Sequence, residues 1–365
     1  MRILTGNIVA FHLYEVSDTI DLKLLQASWG ENTTVSRLVS RRPSPEYLQF
    51  ANPPLVRELG EVIVPLGGKD VSFTLKAKAF DFGVISLSLS LKAPPSLDEM
   101  LEISVLLSGS SSLEAISRRL LEGIRPQFAP ALIKPHHTNL MEDYLVFYVQ
   151  RFDEPIQAEQ LLEEQRVILA QILRGEKKPL SRAEQSEALR EVISYYQDDL
   201  AIVNWNTSFI YDREGSSEHI DVLEFANSEL LELRYYDGLM DREMDRIYDT
   251  AQVIPHWWEF WRGGHFMLAS QKLMALTVDV IELRDQIENA IKLTGDLYSA
   301  RIYRSISRRL SLREWEDSLD EKLKMAHQIY GMLIDQVNTS RATIMELIVI
   351  ILIALEIPIF FISSH

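Results

Sequence analysis

Residues 256–265 bring together many of the side chains in this chain that could bind a partner or a metal ion. The segment reads His-Trp-Trp-Glu-Phe-Trp-Arg-Gly-Gly-His. Exposed Trp and Arg side chains contribute much of the binding energy at protein interfaces, which indicates a site for a protein partner. The candidate contacts are Trp257, Trp258, Trp261 and Arg262. An aromatic plug that packs a corner between two helices is the more ordinary interpretation of the same residues, and the spacing of His256, Glu259 and His265 matches no established zinc pattern.

Two carboxylates interrupt an otherwise apolar run over residues 342–362. About twenty apolar residues in a helix match a hydrocarbon core roughly 30 Å thick, so we expect a transmembrane anchor here. A carboxylate in lipid is costly unless it faces another helix or water, or is protonated. Glu346 lies near the membrane entry, whereas the deeper Glu356 predicts either that copies of the anchor associate around it or that the bilayer thins locally. Pro358 is tolerated because it lies near the end of the span.

The sequence contains none of the common catalytic motifs. The patterns GxxxxGK[ST], GxGxxG, GxSxG and HExxH do not occur. There is no cysteine, which excludes disulfides, thiolate metal sites and cysteine nucleophiles. His136 and His137 are adjacent, and neighbouring side chains of an extended segment point to opposite faces. We therefore predict no catalytic residue, cofactor or metal; an undescribed hydrolase, as the alternative, would need a concave polar pocket in the N-terminal domain.

The chain is acidic, with 37 Lys and Arg against 53 Asp and Glu and a formal charge of −16. Such a surface repels phosphate backbones, so we expect no direct nucleic-acid partner. About half of the imbalance lies in residues 212–249, which hold 12 acids and 4 bases. We interpret this segment as a helix with a solvated acidic face.

Alternating apolar and polar residues predict β-strands in the first part of the chain. Residues 71–80 and 83–92 alternate in this way, and helices fit residues 96–108 and 112–123. These elements predict an α/β N-terminal domain over residues 1–152, in which helices cover an antiparallel sheet.

The remainder of the chain is predicted to be mainly helical. Residues 153–265 form a mixed, mostly helical acidic domain with a strand pair near 199–212. Heptad-spaced apolar residues over 266–341 predict a coiled-coil-like hairpin stalk, whose second arm continues into the anchor at 342–362. The predicted fold class is α+β: an N-terminal antiparallel sheet with helices, then a helical domain whose long hairpin runs into one C-terminal transmembrane helix.

Two segments carry a resemblance to a known family. Residues 80–85 read Phe-Asp-Phe-Gly-Val-Ile, and the C-terminal run reads Met345-Glu346-Leu347 through to Glu356. The first resembles the aromatic-x-aromatic-Gly-Val strand motif of the required-for-meiotic-nuclear-division family, also called the YagE or Rmd/Sif family. The second resembles the C-terminal end of that family's sequences, with Met-Glu-Leu in place of Leu-Glu-Trp. The resemblance implies an α/β N-terminal domain, a helical C-terminal domain, a membrane anchor and self-assembly; eukaryotic members are mitochondrial inner-membrane proteins that support organelle translation.

The layout also resembles CorA-type magnesium channels, which place an acidic α/β body on a long helix that enters a membrane. Those channels need a second span and a Gly-Met-Asn loop, whereas Gly331-Met332-Leu333 lies in a predicted helix. The N-terminus is too polar for a signal peptide, and Arg341 favours a cytoplasmic body. We predict a non-enzymatic, C-tail-anchored scaffold or tether on the cytoplasmic face of the bacterial inner membrane, or of the mitochondrial inner membrane in a eukaryote. Its expected partners are the lipid bilayer, other copies of itself and an unidentified protein, and an ion-conducting oligomer is the alternative function.

Overall fold

The computed structural model describes residues 1–30, 33–35, 52–108, 111–252, 274–275, 277–281 and 297–363. The chain divides into two compact units. The sheet unit comprises Met1–Tyr235 with Asp285–Glu314, and the helical unit comprises Tyr236–Arg284 with Trp315–His365. The fold is α+β with one large sheet.

The described strands are β1 (Ile3–Glu15), β2 (Ser17–Ile20), β3 (Thr33–Val35), β4 (Leu55–Leu66), β5 (Lys69–Ala79), β6 (Val84–Lys92), β7 (Leu132–Pro135), β8 (Met141–Phe152), β9 (Val192–Ile193), β10 (Asp199–Val203) and β11 (Thr207–Asp212). Nine of them form one sheet in the order β3-β4-β5-β6-β1-β8-β11-β10-β9, and β2 pairs with β7 separately. Neighbouring strands are antiparallel except β8 and β11, which are parallel. The pair β10–β11 therefore extends the same sheet as the N-terminal strands.

The turn between β5 and β6 requires glycine. Gly83 has a φ of +100°, and a Cβ atom there would lie 1.7 Å from the backbone oxygen of Ser17. Only glycine both reaches this left-handed conformation easily and leaves room for the neighbouring backbone. The turn holds Asp81 beside the end of β2, since the amide of Ile20 donates to the carbonyl oxygen of Asp81 at 2.8 Å.

The described helices are α1 (Leu22–Trp29), α2 (Leu97–Leu107), α3 (Ser111–Phe128), α4 (Ala158–Glu164), α5 (Arg166–Arg174), α6 (Arg182–Ala188), α7 (Glu218–Gln252), α8 (Leu297–Arg309) and α9 (Leu312–Ser363). Local capping explains several of their ends. The carboxylate of Asp21 accepts hydrogen bonds from the amides of Lys23 and Leu24, at 2.9 and 3.1 Å, and so starts α1. Gly175 ends α5 in the left-handed conformation.

Helices cover both faces of the large sheet within the sheet unit. On one face, Ala10 and Phe147 share a buried apolar core with Leu121 of α3. Side chains alternate between the faces along a strand, so Lys78 of β5 projects from the other face, where it pairs with Asp221 of α7 at 2.6 Å.

The acidic segment 212–249 was wrongly predicted to be a solvated helix face. Glu224, Glu229 and Glu232 of α7 are between 1% and 3% exposed. Burial alone would lower the pKa of Lys78, but the neighbouring carboxylates of α7 raise it and keep the ammonium charged. Net charge counted along the sequence did not show that α7 turns these acids toward the sheet.

Within the helical unit, α9 packs along the second half of α7. Lys322 of α9 pairs with Asp237 at 2.7 Å and with Asp241 at 2.5 Å. Among the α9 side chains that the structure describes in this unit, the buried apolar ones are Leu319, Leu323, Ala326 and Tyr330. Most of residues 266–297, the first arm of the predicted hairpin, lies outside the described residues, so the hairpin stays a prediction.

The predicted transmembrane helix is wrong. Among the described residues, no helix combines the length and the apolar composition that a membrane span needs. A hydrocarbon core about 30 Å thick needs about twenty consecutive apolar residues in a helix. The predicted lipid partner, inner-membrane location and ion-conducting alternative all depend on that span.

Candidate functional site

A small cavity lies between the large sheet and helices α2 and α3, with a volume of about 190 Å³. The antiparallel register of β1 and β8 places His12 directly opposite Asp143, so both side chains project from the same face of the sheet. Glu114 of α3 also lines the cavity, as do the apolar side chains of Leu107 and Leu145. We call this cavity the His12 pocket.

His12 is the buried polar group of the pocket. The residue is 4% exposed, and its Nδ1 atom has no hydrogen-bond partner. Burial lowers the pKa of His12 to about 4, although the negative charge of Glu114 acts in the opposite direction. At neutral pH the imidazole is therefore uncharged, and one of its ring nitrogens is a hydrogen-bond acceptor.

Two carboxyl groups make the more exposed part of the pocket acidic. Asp143 is exposed, and the side chain of Glu114 is 45% exposed. Partial loss of hydration is the main cause that raises the pKa of Asp143, and the negative charge of Glu114 raises it further. Arg118 donates to Glu114 at 3.2 Å and lies over the ring of Tyr14, 5.8 Å from its centroid. This pair partly neutralises Glu114.

A second polar site lies on the opposite face of the sheet, beside the β5–β6 turn. Five carboxyl groups from β1, β2, the turn and α7 interact electrostatically there. This carboxyl cluster consists of Glu15, Asp18, Asp81, Glu229 and Glu232. Asn52 donates to Asp81 at 2.8 Å, and the Tyr303 hydroxyl donates to Glu229 at 2.6 Å.

Glu15 and Glu232 are the most strongly perturbed members of the carboxyl cluster. Burial raises the pKa of Glu15 to about 7, and the nearby His136 acts in the opposite direction. Burial, and then the charges of Glu15 and the other carboxyls, raise the pKa of Glu232 well above its ordinary value. Each side chain has an Oε2 atom without a hydrogen-bond partner. These two carboxyls therefore hold protons at pH values where an exposed glutamate is ionised.

His136 is placed beside the carboxyl cluster. Its Nε2 atom lies 3.4 Å from Oε1 of Glu15, and its Nδ1 atom lies 3.5 Å from Oδ1 of Asp18. The ring stacks on Tyr235 with centroids 4.4 Å apart. In the described part of the chain, no group of three acids or histidines is placed to hold a metal ion.

The helical unit exposes a continuous apolar stretch of α9. The seven residues from Leu347 to Ile353 are each between 38% and 62% exposed. We call these seven residues the apolar segment. Single exposed apolar residues are ordinary, whereas contiguous patches mark interaction sites.

The structure places only some of the predicted site residues. Glu346 is exposed and directly precedes the apolar segment. Glu356 and Pro358 belong to α9, but their side chains lie outside the described part of the chain. Residues 256–265, which contain the three tryptophans, also lie outside it. The predicted partner contacts in that segment are Trp257, Trp258, Trp261 and Arg262, and they stay a prediction.

Sequence reasoning missed the His12 pocket. His12 belongs to no motif, and Glu114 and Asp143 are both more than 100 residues further along the chain. One signal was present: along β1, His12 shares its side of the strand with Ala10 and Tyr14, two buried residues. A polar residue at such a core position is a candidate for a functional role.

Comparison with known proteins places the sheet unit in a family. The family model described as the N-terminal domain of the uncharacterized protein MJ0711 matches residues 5–218. The uncharacterized protein MJ0711 of Methanocaldococcus jannaschii is 27% identical over 229 residues, which is 62% of this chain and 68% of that protein. Neither match connects the chain to the required-for-meiotic-nuclear-division family, so that resemblance stays a prediction. The matched residues run from within β1 to beyond β11 and include His12, Glu114 and Asp143, and the chain belongs to the family of the MJ0711 N-terminal domain.

Proposed function

We propose that this protein is a self-assembling, non-enzymatic scaffold whose copies associate through the apolar segment of α9. The exposure of Leu347–Ile353 carries the proposal, because seven consecutive apolar residues stand in water when the chain is alone. The proposal concerns association between copies of the chain and needs no membrane.

The geometry of a helix indicates more than two copies. Successive side chains are about 100° apart around a helix of 3.6 residues per turn. Seven consecutive exposed residues therefore point to every side of α9, while one neighbouring helix covers only one side. A bundle in which several apolar segments contact one another buries more of this surface than a pair does.

The free energy gained by burying this apolar surface supports the same conclusion. The exposed fractions of Leu347–Ile353 correspond to roughly 600 Å² of apolar surface per copy, which is as large as the biggest patches on ordinary monomers. If two copies each bury half, the gain is about 15 kcal/mol at 25 cal/mol per Å². Association itself costs about 4–15 kcal/mol, so a pair is marginal and a larger bundle is favoured.

Light scattering after size-exclusion chromatography tests the proposal on the full chain. We expect a mass above that of a dimer at micromolar concentration. The variant Ile350→Lys places a charge in the centre of the apolar segment and is expected to reduce the mass toward that of the monomer. Since residue 350 is already 62% exposed, the substitution leaves the fold of the isolated chain intact.

The matched control is Ile63→Lys. Ile63 of β4 is 66% exposed and lies in the sheet unit, so the same substitution there is expected to leave the mass unchanged. A full chain that is monomeric at 100 µM contradicts the proposal. An Ile350→Lys variant with the mass of the unsubstituted protein contradicts it as well.

A further inference from the structure

The described polar groups of the His12 pocket are mainly hydrogen-bond acceptors. None of the described residues that line the cavity is Lys or Arg. Tyr144 also lines the cavity. Its hydroxyl lies 2.9 Å from the carbonyl oxygens of both Asn204 and Thr207, so its donor is already used there. The acceptors that remain belong to the ring of His12 and to the carboxyl groups of Asp143 and Glu114, which all line the cavity.

Size and polarity restrict what the pocket can hold. A volume of 190 Å³ is roughly that of six water molecules in the liquid and is smaller than the roughly 300 Å³ at which drug-sized pockets begin. Leu107, Met141 and Leu145 supply apolar walls. A suitable ligand is therefore small, positively charged at one end and apolar at the other.

We infer that the His12 pocket binds a small organic cation, a primary ammonium group on a short alkyl stem. The ammonium has three N–H donors, which match the His12 ring nitrogen and the Asp143 and Glu114 carboxylates. The alkyl stem lies against the leucine and methionine side chains. Charge-assisted hydrogen bonds of this kind are about twice as strong as neutral ones.

The arrangement favours binding over hydrolysis. In a hydrolase with a histidine base, one ring nitrogen faces the reacting group while a carboxylate holds the other nitrogen in the correct tautomer. Nδ1 of His12 has no partner of this kind. The cavity lies in the N-terminal domain where the hydrolase alternative required one, but no described carboxylate holds Nδ1 of its histidine.

The experiment uses n-propylammonium as the probe and 1-propanol as its uncharged counterpart. Ring signals of the full chain labelled at histidine are followed by NMR during each titration, and the His12→Leu variant identifies the signal of residue 12. We expect saturable shifts of this signal with n-propylammonium and none with 1-propanol. Asp143→Asn is expected to weaken the binding about tenfold or more, the loss typical of one charged hydrogen bond. Because Asp143 is exposed, this variant folds normally.

A matched pair on α3 tests the position of the charge. Glu114 and Glu122 each pair with an arginine one turn away, Arg118 and Arg125. Only Glu114 lines the cavity, so Glu114→Gln is expected to weaken binding severalfold and Glu122→Gln to leave it unchanged. The inference is overturned if n-propylammonium shows no saturable effect, if Asp143→Asn binds it as well as the unsubstituted chain, or if Zn²⁺ saturates the same signal at micromolar concentration while n-propylammonium does not. None of these results bears on self-assembly.

Discussion

Replacing Glu15 by glutamine is predicted to stabilise the protein at alkaline pH. Glu15 is 4% exposed, and its Oε2 atom has no hydrogen-bond partner. Glutamine has nearly the shape of a protonated glutamic acid, so it keeps the packing while removing the ionisable group from the carboxyl cluster. The effect should depend on pH, which distinguishes it from an ordinary packing change.

The size of the effect follows from the pKa of Glu15, which rises from 4.5 to about 7 on folding. Below pH 4.5 the carboxyl is protonated in both states and costs nothing. Between pH 4.5 and 7 the unfolded chain releases the proton and the folded chain keeps it, so stability falls as pH rises. Above pH 7 both states are ionised and the full cost of about 3 kcal/mol is reached.

Urea unfolding of the full chain at pH 5 and pH 8, followed by circular dichroism, measures this difference. At pH 8 we expect Glu15→Gln to exceed the unsubstituted protein by up to about 3 kcal/mol in unfolding free energy, and at pH 5 by less than about 1 kcal/mol. Glu61→Gln is the control, because Glu61 of β4 is exposed and outside the cluster; it should change little at either pH. A Glu15→Gln variant that is less stable at pH 8, or whose effect is the same at both values, would refute the reasoning.

Two further predictions concern the backbone of the sheet unit. Gly83→Ala places a Cβ atom 1.7 Å from the Ser17 oxygen at a φ of +100° and is expected to cost at least about 3 kcal/mol of unfolding free energy. Gly123→Ala, inside α3 with no atom within 4 Å of the new Cβ, should instead stabilise by about 0.5–1 kcal/mol. Asp21→Ala removes the cap of α1 and should cost about 1 kcal/mol. Urea unfolding of each variant measures these changes; equal effects of the two glycine substitutions, or an unchanged Asp21→Ala variant, would contradict them.

Local patterns predicted individual elements well. The alternation over residues 71–80 and 83–92 corresponds to β5 and β6, which the structure bounds at Lys69–Ala79 and Val84–Lys92. The helix predicted at 96–108 corresponds to α2, which Ser96 caps through the amide of Glu99. These features depend on side chains a few residues apart, so a single sequence contains them.

Long-range placement could not be predicted in the same way. The parallel pairing of β8 with β11 joins residues about sixty positions apart, and no local signal records it. Burial of Glu229 and Glu232 depends on which side of α7 meets the sheet. The net charge of the segment does not show which acids are buried. Helical periodicity alone does not decide which face of α7 is covered by the sheet.

The central claim is that copies of the chain meet at the apolar segment, and site-directed crosslinking tests it most directly. The chain has no cysteine, so one introduced thiol is unique. Ile350→Cys should give disulfide-linked dimers under mild oxidation of the full chain, because residues 350 of neighbouring copies come together. Ile63→Cys, at a position that is as exposed, should give few. Equal crosslinking at the two positions, or none at residue 350, would contradict the account.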